Sequence, residues 1–279
     1  MRFQLSDPIG IGLRHTHFPE ILTRFDEHEA IECGWFEGIS ENFINTRGRP
    51  FEILMQVRER FDVSLHGVGL NIAKAGDLNK EYLARLKELY HLVDPFLISD
   101  HLCWTGVDKG NLHNLLPFPY TSENLNLIAN RIDYVQEFLG REMAFENLSA
   151  YFAFAGDPLA EAQFLRELSL RTGCKILLDL NNVFVNSVNQ IFNPYDYLEI
   201  IPMESVSEIH LAGHSVMEGF LFDSHSKPVC DEVWQLYHFI CERNSIATLI
   251  EWDEDIPSLE RVLKEAEKAR LIQGALCES

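Results

Sequence analysis

Lys175-Ile-Leu-Leu-Asp179, followed without a break by Leu180-Asn181-Asn182, is the stretch on which the fold turns. Ile176, Leu177 and Leu178 are apolar on both alternations, the pattern of a strand buried on both faces, as in a parallel sheet covered by helices. Seven more runs read the same way. They are Ile9–Arg14, Cys33–Ile39, Val63–Val68, Phe96–Leu102, Met143–Leu148, Val206–Leu211 and Ala247–Trp252, and helical stretches separate them. Thr121 or Ser122 is placed to cap a helix that stops at Gly140. Asp157-Pro158 opens one that stops at Gly173, and Asn193-Pro194 opens another. Leu83, Leu86, Leu89 and Tyr90 mark a core-facing helical stripe, and Pro257–Gly274 forms the last helix. Eight alternating βα units in 279 residues predict an α/β chain, a single (β/α)8 TIM barrel over residues 1–279. A doubly wound open sheet is the other solution, but no Gly-x-Gly-x-x-Gly follows an early strand.

Composition narrows the function. Apolar residues make up 46% of the chain, and 23 basic against 43 acidic residues give a net charge of −20. That charge speaks against nucleic acid and against an anionic membrane surface as partners. No apolar run approaches the ~18 residues of a membrane span, and the N-terminus lacks a signal peptide's basic flank and apolar core. The six cysteines form no C-x-x-C pair. A cytoplasmic protein of a reducing compartment is the expectation, with Cys230, Cys241 and Cys277 as inert thiols.

In a barrel of this kind, functional groups gather where the strands end. Here every strand end carries a group able to bind a metal or move a proton. In order they are Arg14-His15-Thr16-His17; Glu37 with Glu41-Asn42; His66; Asp100-His101; Glu146-Asn147; Asp179 with Asn181-Asn182; His210 and His214, then Asp223 and His225; and Glu251 with Asp253. So many imidazoles and carboxylates meeting at one mouth would be a costly buried polar cluster unless they bind something. Metal ions remove that cost. The set is rich in His, Asp and Glu and lacks Cys, which leaves Zn, Mn and Fe. It also exceeds what one ion can take, so two or three ions are expected, bridged by a carboxylate such as Glu146. Neighbours on a strand face opposite ways, so His101 is the expected ligand and Asp100 an orienting acceptor behind it. By the same rule, Asn147 can join Glu146 only if the chain turns out of the sheet there. Arg14 is a candidate to hold a substrate carboxylate, the alternative being a structural ion pair. His28, His91, His113 and His238 are read as surface or packing residues in helices or loops, and Trp35, Trp104 and Trp234 as packing. Trp252 is read as facing the helix layer, and the acids from Glu260 to Glu267 as a solvated helix face.

The ordered motifs Gly12-Leu-Arg14, Trp35-Phe-Glu37 with Glu41-Asn42, Ser64-Leu-His66-Gly67 and Ser99-Asp-His101-Leu102 begin a longer string. Phe145-Glu146-Asn147, Leu178-Asp179-Leu-Asn-Asn182, Glu208-Ile-His210-Leu-Ala-Gly-His214, Asp223-Ser-His225 and Ile250-Glu251-Trp-Asp253 complete it. This string resembles the multinuclear non-heme iron-dependent oxidase family, once a group of uncharacterised function, which includes an enzyme of methanobactin biosynthesis. The resemblance implies a TIM barrel holding two or three irons of mixed Fe(II)/Fe(III) state, with O2 as co-substrate. It implies a cysteine-bearing, ribosomally made precursor peptide as substrate and a small leader-binding partner protein, the two proteins forming a heterodimer. The implied ligands are His66, His101, Glu146, Asp179, His210, Asp223, His225 and Glu251, with Asn147 and Asn182 as further members. His210, Asp100 and Arg14 are the residues expected to carry catalysis. Two other readings stand beside this one. The first is a Zn, Mn or Mg barrel hydrolase or sugar isomerase similar to endonuclease IV or xylose isomerase, which needs no O2. The second is a metal-loaded scaffold without catalysis.

Overall fold

The computed structural model describes residues 5–107, 110–154 and 160–277. Along the chain, β1 (Ile9–Gly12) leads to α1 (Phe18–Glu27), β2 (Trp35–Ile39) to α2 (Arg49–Arg58), and β3 (Asp62–Gly67) to α3 (Lys80–Val93). After β4 (Leu97–His101) comes an antiparallel hairpin, β5 (Trp104–Val107) and β6 (Gly110–Leu116), then α4 (Ser122–Leu139). β7 (Ala144–Glu146) precedes α5 (Glu161–Thr172), and β8 (Lys175–Asp179) passes directly into α6 (Leu180–Gln190), followed by α7 (Pro194–Ile200). β9 (Val206–Leu211) is followed by a second hairpin, β10 (Ser215–Met217) and β11 (Phe220–Phe222), and by α8 (Asp231–Cys241). β12 (Ala247–Ile250) and α9 (Leu259–Cys277) close the chain.

Eight of the strands close a parallel barrel in the order β1-β12-β9-β8-β7-β4-β3-β2. These are the eight runs read from the sequence, and the barrel is a TIM barrel. Most observed strands are shorter than the runs. The fifth, read as Met143–Leu148, is only Ala144–Glu146, because beyond it the chain turns to let Asn147 grip the backbone of Asp179. The punctuation holds at Thr121, whose side chain accepts from Asn124 N, and at Asn193, which accepts from Tyr195 N. Gly140 and Gly173 end their helices at φ +77° and +68°, a region open to glycine at little steric cost. Asp157-Pro158 lies outside the described residues, as does the side chain of Cys277.

Apolar side chains fill the space between barrel and helices, Leu83, Leu86, Leu89 and Tyr90 among them, and Trp252 joins this core. Three readings need correction. His113 is exposed but lies on β6, not in a helix or loop. The two hairpins are additions to the plain βα alternation that the sequence predicts. The acids after Glu260 are not all solvated: Glu265 is buried and paired with Arg261 at 2.5 Å, since the period of α9 turns that position inward.

Inside the barrel, the floor is Trp35 on β2. A Cβ at Gly10 of β1, its register partner, would fall within the indole ring, so the missing side chain is what admits the tryptophan. Two residues on, a Cβ at Gly12 would crowd the Arg14 guanidinium, which therefore folds back over β1. The barrel's interior thus rises from an aromatic floor to a charged mouth.

Candidate metal centre

Register sets the mouth. Pairing of His101 with Glu146, and of Asp179 with His210, brings groups from neighbouring strands onto one interior level. His66 Nε2, His101 Nε2 and Glu146 Oε2 form the tightest triad, with separations of 3.1, 3.2 and 3.4 Å. The outer nitrogens of both rings are held by the barrel, His66 Nδ1 at Ser99 Oγ (2.8 Å) and His101 Nδ1 at Gly67 O (3.1 Å). Their Nε2 atoms are thereby turned on Glu146, yet Glu146 Oε2 makes no hydrogen bond. The three atoms converge from three strands as a group that could hold a metal ion.

Three further groups are chained to this one through shared residues, each with ligand atoms within 4.8 Å of one another. The group of Glu146, Asp179 and His210 shares Glu146 with it; Glu37, His210 and Glu251 follow through His210, and Asp179, His225 and Glu251 through Asp179. His210 Nδ1 lies 2.9 Å from Glu251 Oε2, and His225 Nδ1 3.2 Å from the same oxygen. Asp179 divides its work. Oδ1 accepts from Asn182 N at 2.6 Å and caps α6, while the buried Oδ2 has no hydrogen-bond partner. His225 sits at φ +45°, a left-handed turn that carries its ring to Asp223 Oδ1 (2.7 Å) at the rim. Ser149 Oγ and Asn181 Nδ2 hold the same Asp223 carboxylate.

The protonation of these groups shows a shortage of positive charge. Burial opposes charge on His66, but the neighbouring Glu146 carboxylate overrides it and carries the imidazole up to about 10. His210 and His225 rise well above their usual range against the same burial, drawn by Glu251 and Asp223 respectively. Glu146 falls to about 2 beside His101 and His66, although burial alone would raise it. His101 goes the other way, lowered by burial. Raised imidazoles beside these carboxylates mark a cluster that attracts cationic charge, and its groups of His, Asp and Glu could hold metal ions.

The remaining expected residues take distinct places. Asn147 spends its amide on Asp179, Oδ1 accepting from N and Nδ2 donating to O, and joins two strands. Asn182 donates to Asn147 O and leaves its buried Oδ1 without a partner, an acceptor available to a cation. Asp100 faces away from the mouth. It accepts from the backbone N–H groups of His101 and Leu70, so it orients His101 through the backbone and not through the ring. Arg14 is buried and bonds to Trp252 O, Glu251 and Asp253, with Nη1 left without a partner. His17 bonds to Pro257 O and His214 to Asn181; neither is in the cluster. Two residues absent from the expected ligand set lie against it. Glu37 Oε2 and Glu208 Oε1 are each 3.4 Å from His210 Nε2, and both residues are wholly buried. The signal for Glu208 is its spacing, two residues before His210 on the same strand and hence on the same face.

Fold and side chains together define a class, a TIM barrel whose strand ends could hold metal ions. Solved structures place the fold. Endonuclease IV from Thermus thermophilus is 12% identical with a TM-score of 0.58, over 94% of this chain and 98% of that one. A D-tagatose 3-epimerase-like protein is 16% identical with a TM-score of 0.60, over 97% and 98%. At such identity the likeness is one of fold alone. Sequence goes further. A UPF0276 protein of Caulobacter vibrioides is 45% identical over 97% of this chain and 95% of its own length, and residues 8–274 match the RiPP precursor modification enzymes MbnB/TglH/ChrH. The chain belongs to that family, whose substrates are precursors of ribosomally made, post-translationally modified peptides. Among the described residues, no helix is long and apolar enough to cross a membrane.

Proposed function

We propose that this chain is a multinuclear non-heme iron oxidase that uses O2 to modify cysteine in a precursor peptide, acting with a leader-binding partner protein. The observation that carries the reading is the overlap of four metal-competent groups around Glu146, Asp179, His210 and Glu251 in a family of peptide-modifying enzymes. Iron there would supply one-electron chemistry toward O2 and lower the pKa of a peptide thiol. The chain's own residues do the rest. Ser99 and Gly67 fix the two imidazoles that face Glu146. Asp253 and Glu251 hold Arg14 as a permanent cation, and its unpartnered Nη1 is the donor left for a substrate carboxylate or carbonyl. Deep burial of Asp179, His210 and Glu146 keeps bulk water from the reacting thiol. The partner protein rests on the family resemblance, and co-elution of the chain with the product of an adjacent gene tests it.

Oxygen uptake and mass spectrometry of a cysteine-bearing precursor peptide, with an anaerobic control, test the reaction. Conversion should require both iron and O2; conversion without O2 would point to the hydrolase or isomerase chemistry. His210→Ala should abolish conversion and leave the circular dichroism spectrum folded. Conversion at the wild-type rate with unchanged iron content would refute the ligand assignment.

A further inference from the structure

The level below the metal centre is charged where a barrel of this type is ordinarily filled by branched apolar side chains. We propose that Glu208, backed by Glu37, is a positioning carboxylate that holds the His210 imidazole in its ligating orientation. The inference rests on the metal-centre reading and extends it one layer inward.

Glu208 and His210 share a face of β9, and Glu37 reaches the same point from β2. His210 has Glu251 at Nδ1, a carboxylate it shares with His225, and Glu37 and Glu208 at Nε2. The other two barrel imidazoles show what this outer contact is for. In His66 and His101, one nitrogen meets a barrel acceptor and the opposite one faces Glu146. At His210, among the described residues, the acceptors on the Nε2 side are these two carboxylates. Glu37 already accepts from Ser64 Oγ through the oxygen that faces His210. Glu208 has no hydrogen bond at either oxygen and no exposure to solvent, so its accepting capacity is entirely unspent.

A buried carboxylate with no hydrogen bond is a cost to the fold, and a bare structural role gives no reason to keep it. A carboxylate behind a ligating histidine has a reason. It fixes the ring and raises its basicity toward metal, and loss of such a group lowers metal affinity by about 10- to 100-fold.

The two roles differ in sign, which makes them separable. The chain is stripped with chelator and Fe(II) or Co(II) is titrated back anaerobically, while melting of the metal-free form is followed in parallel. For Glu208→Gln, metal affinity should fall by about 10- to 100-fold, while the metal-free protein melts at the same temperature as wild type or higher. Unchanged affinity overturns the proposal. So does a fall in affinity accompanied by a lower metal-free melting temperature, since that is the mark of a structural residue. If Glu208→Gln does not fold, Glu208→Asp decides: weakened metal binding at an unchanged metal-free melting temperature supports positioning, and any other result overturns it. A wild-type chain that takes up no metal refutes the proposed function itself, whereas equal uptake by wild type and Glu208→Gln refutes only the role of Glu208.

Discussion

Asp179 shows how one side chain serves fold and site together. Its Oδ1 caps α6, and its Oδ2 is buried among His225, Glu146 and Glu251 without a hydrogen bond. Burial first, then neighbouring carboxylates, raises its pKa well above the usual range, although His225 works against the rise. The two functions can be separated, because asparagine caps a helix about as well as aspartate. Asp179→Asn should keep the metal-free melting temperature while reducing bound iron, measured by elemental analysis after anaerobic reconstitution. Asp179→Ala should in addition lose the cap, at a cost of about 1 kcal/mol in chemical denaturation. Equal iron content in wild type and Asp179→Asn would remove Asp179 from the ligand set.

At the scale of elements, β1 carries its information as absences. Gly10 leaves room for the Trp35 indole and Gly12 for the Arg14 guanidinium. Gly10→Ala should therefore destabilise the barrel by about 1–3 kcal/mol through overpacking, seen as a lower urea midpoint at unchanged slope. An unchanged midpoint would mean that Trp35 does not fill the floor. The β10–β11 hairpin is illegible in the sequence for a related reason. Each strand has three residues, and their apolar side chains are largely solvent-exposed, Val216 at 79%. Too short for a readable alternation, the pair is set by its antiparallel register across Glu218-Gly219, with Gly219 at φ +88°.

For the whole molecule, the net charge of −20 and the acidic mouth favour cations and repel polyanions. They also fix how metal-free stability depends on pH. His66 is carried to about 10, held there by Glu146 against burial; Asp100 is raised to about 8 by burial and Glu41; Glu208 is raised to about 7 by burial and Glu37. In each case the folded state binds protons that the unfolded chain has released. Stability therefore falls as pH rises. The His66 contribution is complete below its unfolded pKa of about 6.5 and is lost as pH rises through about 10. The metal-free melting temperature should accordingly begin to decline above about pH 4.5, as the Asp100 and Glu208 contributions are lost, and continue to fall through about 10 with His66, by calorimetry in EDTA. Metal-loaded protein should lose the His66 part of that decline, since ligation keeps the imidazole neutral at every pH in the window. A flat metal-free profile would contradict the charge balance described for the mouth.

The sequence by itself determined the eight barrel strands and the family, and it named the strand-end residues that could hold metal ions. These depend on local patterning: apolar runs such as residues 176–178, and polar residues placed where such runs end. Only the tertiary structure decided how those residues divide their work. Asn147 ties β7 to β8, Asp100 acts through backbone amides of its own strand end and of Leu70, and Glu208 stands with Glu37 of β2 behind His210. Strand register and barrel closure set those distances, and pairing between remote segments leaves no periodic trace in the chain that makes it.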